Sequence, residues 1–176
     1  MKNLAQSVFL VGMPGSGKST IGRSLAKALD CPFVDLDQQV EERCGVKIPV
    51  IFEIEGESGF RKRESQVLDD VTQQAGIVLA TGGGAILDSQ NRHYLQQRGV
   101  VVYLRASVDE LYRRTSRDRN RPLLATNNPK ARLRELLTTR APLYETMADV
   151  VVDTGAASVA AVVQQLVSRL SQTQDS

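Results

Sequence analysis

The chain has 176 residues, 41% hydrophobic and 24% charged, which is typical of a folded globular protein and excludes a disordered chain. Its net charge of +2 is too small to indicate a nucleic-acid or membrane surface by itself. No apolar run approaches the roughly 20 residues of a membrane-spanning helix. With no signal-like start and no Cys/His cluster, Cys31 and Cys44 are expected to be reduced thiols in a cytoplasmic protein.

Strands and helices are predicted to alternate along the chain. Apolar runs predict five strands, at Ser7–Val11, Phe33–Leu36, Ile77–Ala80, Val100–Leu104 and Val150–Asp153. Helical spacing predicts five helices, at Lys18–Leu29, Asp88–Gln97, Ser107–Ser116, Lys130–Tyr144 and Ala156–Leu170. Because this alternation is the pattern of βαβ units, we expect an α/β fold whose mostly parallel sheet is covered on both faces. No interdomain linker is visible, so one domain over residues 1–176 is expected.

Residues 116–130 (SRDRNRPLLATNNPK) interrupt this alternation, since they are polar, charged and broken by Pro122 and Pro129. The segment is about as long as structureless loops become in compact domains, and such loops are often lids. We therefore expect a lid, the alternative being a surface loop. Arginines crowd near its start, at Arg113, Arg114, Arg117, Arg119 and Arg121. The run lacks the stacking aromatic residues of single-strand nucleic-acid sites, so no nucleic-acid partner is expected.

A phosphate-binding motif follows the first predicted strand. Residues 12–19 (GMPGSGKS) match the pattern G-x-x-x-x-G-K-[ST], and an amphipathic helix comes next. The glycines let backbone N–H groups turn inward around a polyphosphate, and the helix N-terminus favours negative charge. Lys18 would reach the β- and γ-phosphates, and the Ser19 hydroxyl would bind Mg²⁺. The motif predicts a bound nucleoside triphosphate. The sequence lacks the N-K-x-D segment that guanine-nucleotide switches usually carry, so a switch of that kind is not predicted.

Two carboxylates, Asp35 and Asp37, stand at the end of the second predicted strand (FVDLD, 33–37). Ligands of open α/β sheets bind at the carboxyl ends of strands, so both residues are candidates for a site. One could hold Mg²⁺ through water while the other faces a substrate hydroxyl. Alternatively, Asp37 is the N-cap of a helix over Gln38–Arg43. The spacing by itself leaves both interpretations open.

Three further features suit an acidic acceptor. Arg61 is a candidate carboxylate clamp, because a guanidinium matches a carboxylate in two parallel hydrogen bonds, and Glu64 could orient it. The alternative is a surface ion pair of little energetic value. Gly82–Gly84 follow a strand directly, which favours close approach of backbone N–H groups to a ligand over a plain tight turn. Arg140 is either a second cation for the acceptor or a charge at a helix C-terminus.

Together these segments resemble the shikimate kinase family. The resemblance rests on GMPGSGKST at 12–20, FVDLD at 33–37, IFEIEGESGFRKRE at 51–64, LATGGGAI at 79–86, RNRPLL at 119–124 and RAPLYE at 140–145. It implies a three-layer fold like that of nucleoside monophosphate kinases, with a P-loop at 12–19, a substrate-binding region at about 35–64 and a lid at about 116–130. It also implies transfer of the ATP γ-phosphoryl group to the 3-hydroxyl of shikimate, with Mg²⁺, in aromatic amino-acid biosynthesis.

The resemblance further implies roles for individual residues. ATP would be bound by Gly12, Gly15, Ser16, Gly17, Lys18, Ser19, Thr20, Arg114 beside the adenine, and the lid residue Arg121. Mg²⁺ would be held by Ser19 and Asp35. Shikimate would be bound by Asp37, Arg61, Glu64, Arg140, Gly82, Gly83, Gly84 and an apolar wall of Phe52 and Phe60. Catalysis would fall to Asp37 as base or proton acceptor, with Lys18 and Arg121 neutralising charge. Since no long apolar interface stripe is visible, a monomer is expected.

Overall fold

The sheet is parallel throughout and its strands follow the apolar runs of the sequence. The computed structural model describes residues 6–116, 126–155 and 157–174. Within those ranges it has five strands, β1 (Ser7–Val11), β2 (Phe33–Asp35), β3 (Val78–Ala80), β4 (Gly99–Arg105) and β5 (Val150–Asp153). They lie in the order β2-β3-β1-β4-β5, and every neighbouring pair is parallel. The prediction of a five-stranded parallel sheet is therefore confirmed.

The helices of the described residues connect these strands, and the last helix follows β5. They are α1 (Lys18–Leu29), α2 (Leu36–Cys44), α3 (Ile48–Thr72), α4 (Ser89–Arg98), α5 (Val108–Thr115), α6 (Pro129–Met147) and α7 (Val159–Gln174). A short 3₁₀ turn at Ala85–Leu87 precedes α4. In these parts of the chain, no helix is both long enough and apolar enough to cross a membrane.

The sequence analysis did not predict α3 as a continuous helix. Gly56 and Gly59 interrupt its apolar pattern, and both residues lower helix propensity. Gly56 leaves helical geometry, with φ 72° and ψ −178°, so that α3 is kinked there. The residues after the kink nevertheless form a buried face that includes Phe60 and Leu68. Tertiary packing of that face outweighs the weak local propensity.

The sheet is covered on both faces, as predicted. Side chains alternate along β1, so that Phe9 and Val11 join a core beneath α2, α3, α4 and α6. Val8 and Leu10 join a second core beneath α1 and α7. Phe9 and Leu10 are fully buried, which is worth about 1.5–3 kcal/mol for each side chain. The three-layer arrangement follows from this two-sided burial.

The strand order determines which loops meet. Parallel strands end at the same edge of a sheet, and β3 lies between β1 and β2. The loop after β1 is the phosphate-binding motif, the loop after β3 carries Gly82–Gly84, and β2 ends at Asp35. The glycine segment is thus placed between the motif and the aspartates. Three separate sequence segments are brought together at one edge.

Candidate active site

The phosphate-binding motif forms a tight loop around the start of α1. Gly15 (φ 84°) and Gly17 (φ 97°) have left-handed backbone angles that glycine adopts without strain. A Cβ atom on Gly15 would lie 2.6 Å from Cγ2 of Thr115, so the loop also packs too closely on α5 for a side chain. Because α1 begins at Lys18, its free N–H groups point into the loop. This is the geometry of a polyphosphate site.

The Lys18 ammonium group is held inside this loop. Its Nζ donates hydrogen bonds to the carbonyl oxygens of Gly12 at 2.7 Å and Met13 at 2.9 Å. The side chain is buried, with 8% of the residue exposed. A positive charge therefore lies within the loop beside the N-terminus of α1. Both features favour an anion at this position.

The Ser19 hydroxyl and the Asp35 carboxylate are paired next to the loop. Ser19 Oγ donates to Asp35 Oδ2 at 2.6 Å, and the other oxygen, Oδ1, accepts from the backbone N–H of Gln38 at 3.1 Å. Asp35 is therefore the N-cap of α2, and the alternative prediction of Asp37 as the cap is wrong. The reason is that α2 begins at Leu36, which puts Asp37 in the first helical turn.

Ser19 and Asp35 fit a magnesium ion of the kind that accompanies nucleotides. Both offer hard oxygen atoms, the ligands that Mg²⁺ prefers. In residues 6–116, 126–155 and 157–174, no group of three or more His, Cys, Asp or Glu side chains could hold a metal. The other ligands would have to be phosphate oxygens and water, as is usual for Mg²⁺ bound through one or two protein groups.

Two carboxylates converge on Gly82. A Cβ atom at this position would lie 2.8 Å from Asp37 Oδ1 and 2.7 Å from Glu64 Oε2. Both distances are shorter than real contacts, so a side chain at position 82 would have to displace the two carboxylates. Glu64 has 0% of its surface exposed, and no hydrogen bond to its Oε2 is found in the described residues. The turn after β3 is therefore fitted closely around acidic groups contributed by α2 and α3.

Arg61 is fixed by this buried carboxylate. Its Nη1 donates to Glu64 Oε1 at 2.9 Å, and its Nη2 lies 3.5 Å from Glu57. Because Glu64 is fully buried, the alternative of a surface ion pair is wrong. The guanidinium lies directly against Gly84, where a Cβ atom would be 2.6 Å from Arg61 Cζ. Glu64 thus orients Arg61 towards the glycine turn.

Arg140 approaches the same turn from α6. It lies inside α6, well before the end at Met147, and 2% of it is exposed. The alternative of a charge at a helix C-terminus is therefore wrong; the helix also continues beyond its predicted end at Tyr144. Arg140 Nη1 would be 3.3 Å from a Cβ atom on Gly83. Burial lowers the pKa of Arg140, and the nearby Arg61 lowers it further.

The two arginines leave hydrogen-bond donors unused. Arg61 Nε and Arg140 Nη1 are buried, and no acceptor for either is found among the described residues. A buried donor without a partner costs about 1–3 kcal/mol, and more when the group is charged. An anion placed beside Gly83 and Gly84 would lie against both guanidinium groups, accept hydrogen bonds from them and offset their like charges. The pocket is therefore suited to a carboxylate.

An aromatic pair lies beside this pocket. The rings of Phe52 and Phe60 have centroids 4.9 Å apart, and Arg61 Cζ lies 5.2 Å from the centroid of Phe60. Phe60 is buried and Phe52 is partly buried, both on α3. The pair offers an apolar surface next to the charged groups, which suits a carbocyclic ring that carries polar substituents.

A different surface borders the P-loop near the end of β5. Arg114 Nη1 donates to the Gly15 carbonyl at 3.2 Å, and Nη2 donates to the Thr154 carbonyl at 2.7 Å. Thr154 Oγ1 also donates to the carbonyl of Ser16 at 3.3 Å. These bonds tie the P-loop, α5 and the segment after β5 together. The arrangement places Arg114 beside the loop, while Thr20 is exposed near the start of α1.

One open cavity extends from the P-loop to the glycine turn after β3. It has a volume of about 630 Å³. Residues of the P-loop, Asp35, Asp37, Gly83 and Arg114 line it. A nucleotide on the P-loop and an acceptor beside the glycine turn would therefore share one space. Arg121 and the central part of the predicted lid lie outside the described residues.

Comparison with known proteins assigns the family. The family model for shikimate kinase matches residues 14–171. The chain belongs to the shikimate kinase family. The resemblance inferred from the motifs is thereby confirmed. A shikimate kinase of Bordetella pertussis is 61% identical over 163 residues, which cover 93% of this chain and 77% of that protein. One from Ralstonia nicotianae is 53% identical over 93% of this chain and 86% of its own length.

Solved structures agree with this assignment. The shikimate kinase from Acinetobacter baumannii in complex with shikimate matches with a TM-score of 0.95 and 44% identity, covering 97% of this chain and 96% of that one. A gluconokinase from Sinorhizobium meliloti matches with a TM-score of 0.61 at 20% identity over 98% and 95% of the two chains. At that identity the match shows the fold alone, which agrees with the predicted class of P-loop kinase fold.

Two residues of the site were missed by sequence analysis. Thr154 links the P-loop to the end of β5, but its contacts span 138 positions and no local pattern indicates them. Tyr144 donates from its hydroxyl to the Gly83 carbonyl. Its spacing of four residues from Arg140 was a usable signal, because residues at i and i+4 share a helix face.

Glu64→Gln tests the buried carboxylate. Burial raises the pKa of Glu64 to about 7, against the opposing effect of Arg61, and Asp37 adds to the increase. A raised pKa means that the native state binds the proton more tightly than the unfolded chain does. That stabilising contribution is complete below the ordinary glutamate pKa and is lost as the pH rises through about 7. We therefore expect wild type to lose stability relative to the variant as the pH rises.

The measurement is urea unfolding of both proteins at pH 5 and pH 8. The difference in unfolding free energy between wild type and variant should shift by about 3 kcal/mol against wild type at the higher pH. Groups common to the two proteins cancel in this difference. A difference that does not change with pH would show that Glu64 is ionised throughout the range.

Proposed function

We propose that this chain transfers the γ-phosphoryl group of ATP to the 3-hydroxyl of shikimate, forming shikimate 3-phosphate on the route to chorismate and the aromatic amino acids. The observation that carries the proposal is the unsatisfied pair of buried donors, Arg61 Nε and Arg140 Nη1, beside the glycine turn. A carboxylate there would be gripped from two helices. Asp37 and Glu64 lie against Gly82 of the same turn, where hydroxyl groups of the same molecule would meet them.

The acceptor would be held at both ends. Arg61 and Arg140 bind its carboxylate, while backbone groups of Gly82, Gly83 and Gly84 line the ring. Phe52 and Phe60 supply an apolar wall, with their ring centroids 4.9 Å apart. Glu64 keeps Arg61 in place rather than touching the carboxylate. This distribution of charge distinguishes an acidic polyol from a neutral sugar.

The donor would be held by the P-loop. Backbone N–H groups of Gly12, Gly15, Ser16 and Gly17, together with Thr20 near the start of α1, surround the phosphates. Lys18 neutralises them, and Arg114 lies beside the adenine. Ser19 and Asp35 would hold Mg²⁺, which would supply positive charge against the phosphates during transfer. Arg121 is proposed to approach the same phosphates from the lid.

Asp37 is the proposed proton acceptor. Phosphoryl transfer depends mainly on positioning and charge neutralisation, so the protein needs one group to orient the attacking hydroxyl. Asp37 Oδ1 points at the glycine turn, and the residue lines the cavity shared with Lys18. A hydroxyl between Asp37 and the γ-phosphoryl group could give its proton to the carboxylate as the new P–O bond forms and the bond to ADP breaks.

The chain is further proposed to act as a cytoplasmic monomer, with ATP and shikimate as its partners and no nucleic acid or membrane. The modest net charge of +2 supports this. Each proposed contact to ATP or shikimate comes from a residue of this same chain. Light scattering of the purified protein would detect a stable dimer.

The proposed function is tested with an acceptor series. ADP release is followed in a coupled assay with Mg²⁺–ATP and shikimate, gluconate or AMP, or with no acceptor. We expect ADP release to depend on shikimate, because the arginine pair requires a carboxylate and the aspartate requires hydroxyl groups. Gluconate also carries both groups on an open chain, so it tests whether the ring matters. Equal rates without an acceptor would contradict the proposal.

Asp37→Asn is expected to lower kcat at least about a hundredfold with shikimate, since the amide cannot accept the proton. ATP affinity should stay near wild type, because Asp35 and Ser19 hold the metal. Glu42→Gln is the matched control, as Glu42 is an exposed carboxylate on the same helix. Steady-state kinetics and nucleotide titration give the two constants. A wild-type kcat in Asp37→Asn would remove Asp37 from the chemistry.

Arg61→Ala is expected to raise KM for shikimate about ten- to hundredfold, the cost of losing charge-assisted hydrogen bonds, with little change in KM for ATP. Arg63→Ala provides the control, because Arg63 lies two positions along the same helix and pairs with Glu55 at the surface. The two variants remove the same charge from α3. If both raised KM for shikimate equally, long-range charge rather than a carboxylate clamp would explain the effect.

A further inference from the structure

Tyr144 occupies a central position that the proposed function does not use. Its side chain is fully buried, and its ring stacks on Tyr103 of β4 with centroids 4.9 Å apart and 24° between the planes. Its hydroxyl donates a hydrogen bond to the Gly83 carbonyl. Burial raises the pKa of Tyr144 above its ordinary value, so the hydroxyl keeps its proton and remains a donor. A rigid ring therefore presents a permanent donor to the glycine turn.

The bond to Gly83 restrains a segment that has little rigidity of its own. Glycine has the widest backbone freedom of all residues, and Gly82–Gly84 are three in succession. Ala85 N–H bonds to the Gly82 carbonyl at 3.2 Å, and Leu87 N–H bonds to the Gly84 carbonyl at 3.1 Å. The carbonyl between them, that of Gly83, is held by Tyr144. Because a trans peptide is planar, fixing this carbonyl also fixes the Gly84 N–H in the opposite direction.

The same helix face carries Arg140. Residues 140 and 144 are one turn apart on α6, and Arg140 Nη1 is 3.3 Å from the position of a Cβ atom on Gly83. Arg140 also interacts with the Tyr144 hydroxyl, both through its positive charge and through a side-chain hydrogen bond. Tyr144 and Arg140 thus contact the glycine turn from one rigid element. The hydroxyl determines how the turn is oriented relative to the guanidinium.

We propose that Tyr144 is a positioning residue of the acceptor site, whose hydroxyl orients the Gly83–Gly84 peptide relative to Arg140 so that an acceptor carboxylate meets both. The inference rests on the proposed function, because it assigns the carboxylate of that acceptor to this place. Tyr144 acts through Gly83 and does not touch the acceptor. A role limited to packing would need the ring alone, whereas the positioning role needs the hydroxyl.

Tyr144→Phe separates these roles, since it keeps the ring and the stack and removes only the hydroxyl. We expect the dissociation constant and KM for shikimate to rise about three- to tenfold, the usual value of one hydrogen bond, while KM for ATP stays at the wild-type value. Tyr103→Phe is the matched control. It removes the other hydroxyl of the same stacked pair, whose charged neighbours are Glu145, Arg105 and Asp153 rather than the glycine turn. We expect both constants of this variant to equal those of wild type.

Calorimetric titration with shikimate and steady-state kinetics are made on wild type and both variants. The stoichiometry reports the folded fraction and the dissociation constant reports the site, so partial unfolding of a variant does not hide the result. Unchanged shikimate binding in Tyr144→Phe would overturn the proposal. So would equal losses for shikimate and ATP, or an equal effect of Tyr103→Phe. A wild-type protein that neither binds nor phosphorylates shikimate would instead refute the proposed function.

Discussion

The buried hydrogen bond between Arg61 and Glu64 is the interaction on which the surroundings of the glycine turn depend. Glu64 is fully buried, and one of its oxygens bonds to Arg61 at 2.9 Å while no hydrogen bond to the other is found within the described residues. Breaking a buried pair by removing one partner typically costs several kcal/mol, so each residue constrains the other. Arg61 is thereby held against Gly84 with its Nε unused. The free protein tolerates an unsatisfied arrangement that an anionic ligand would complete, which is a common cost of binding sites.

Much of the fold could be predicted from local patterns. The strand at Ser7–Val11 was found in full, because a buried parallel strand is a short continuous apolar run. The helix at Lys18–Leu29 was also found in full, since its apolar spacing and the preceding phosphate motif agree. The long helix Ile48–Thr72 was not, because Gly56 and Gly59 disturb its pattern and only packing of its buried face reveals it. Prediction succeeded where one segment carries its own signal.

The same difference between local and long-range signals applies to the residues of the site. Lys18 and Ser19 belong to a contiguous motif and were placed by it, whereas the cap of α2 was assigned to Asp37 as one of two alternatives and proved to be Asp35. That difference depends on where the helix begins, a boundary of one or two residues that spacing does not determine. The contacts of Thr154 join residues 138 positions apart, which no local pattern encodes. Pairings between distant segments required the folded chain.

The three glycines after β3 show how shape and charge are joined in this site. A Cβ atom on Gly82 would collide with Asp37 and Glu64, one on Gly83 would lie within 2.8 Å of Pro14, and one on Gly84 would collide with Arg61. At each of the three positions, a side chain would thus collide with a different neighbour. The backbone angles do not require glycine at these three residues, since none of them is left-handed. The sequence Gly-Gly-Gly therefore records the close approach of charged groups from α2 and α3 and of the P-loop proline. Any side chain there would have to displace Asp37 or Glu64, Pro14, or Arg61, and so the segment is packed between the P-loop and the residues proposed to bind the acceptor.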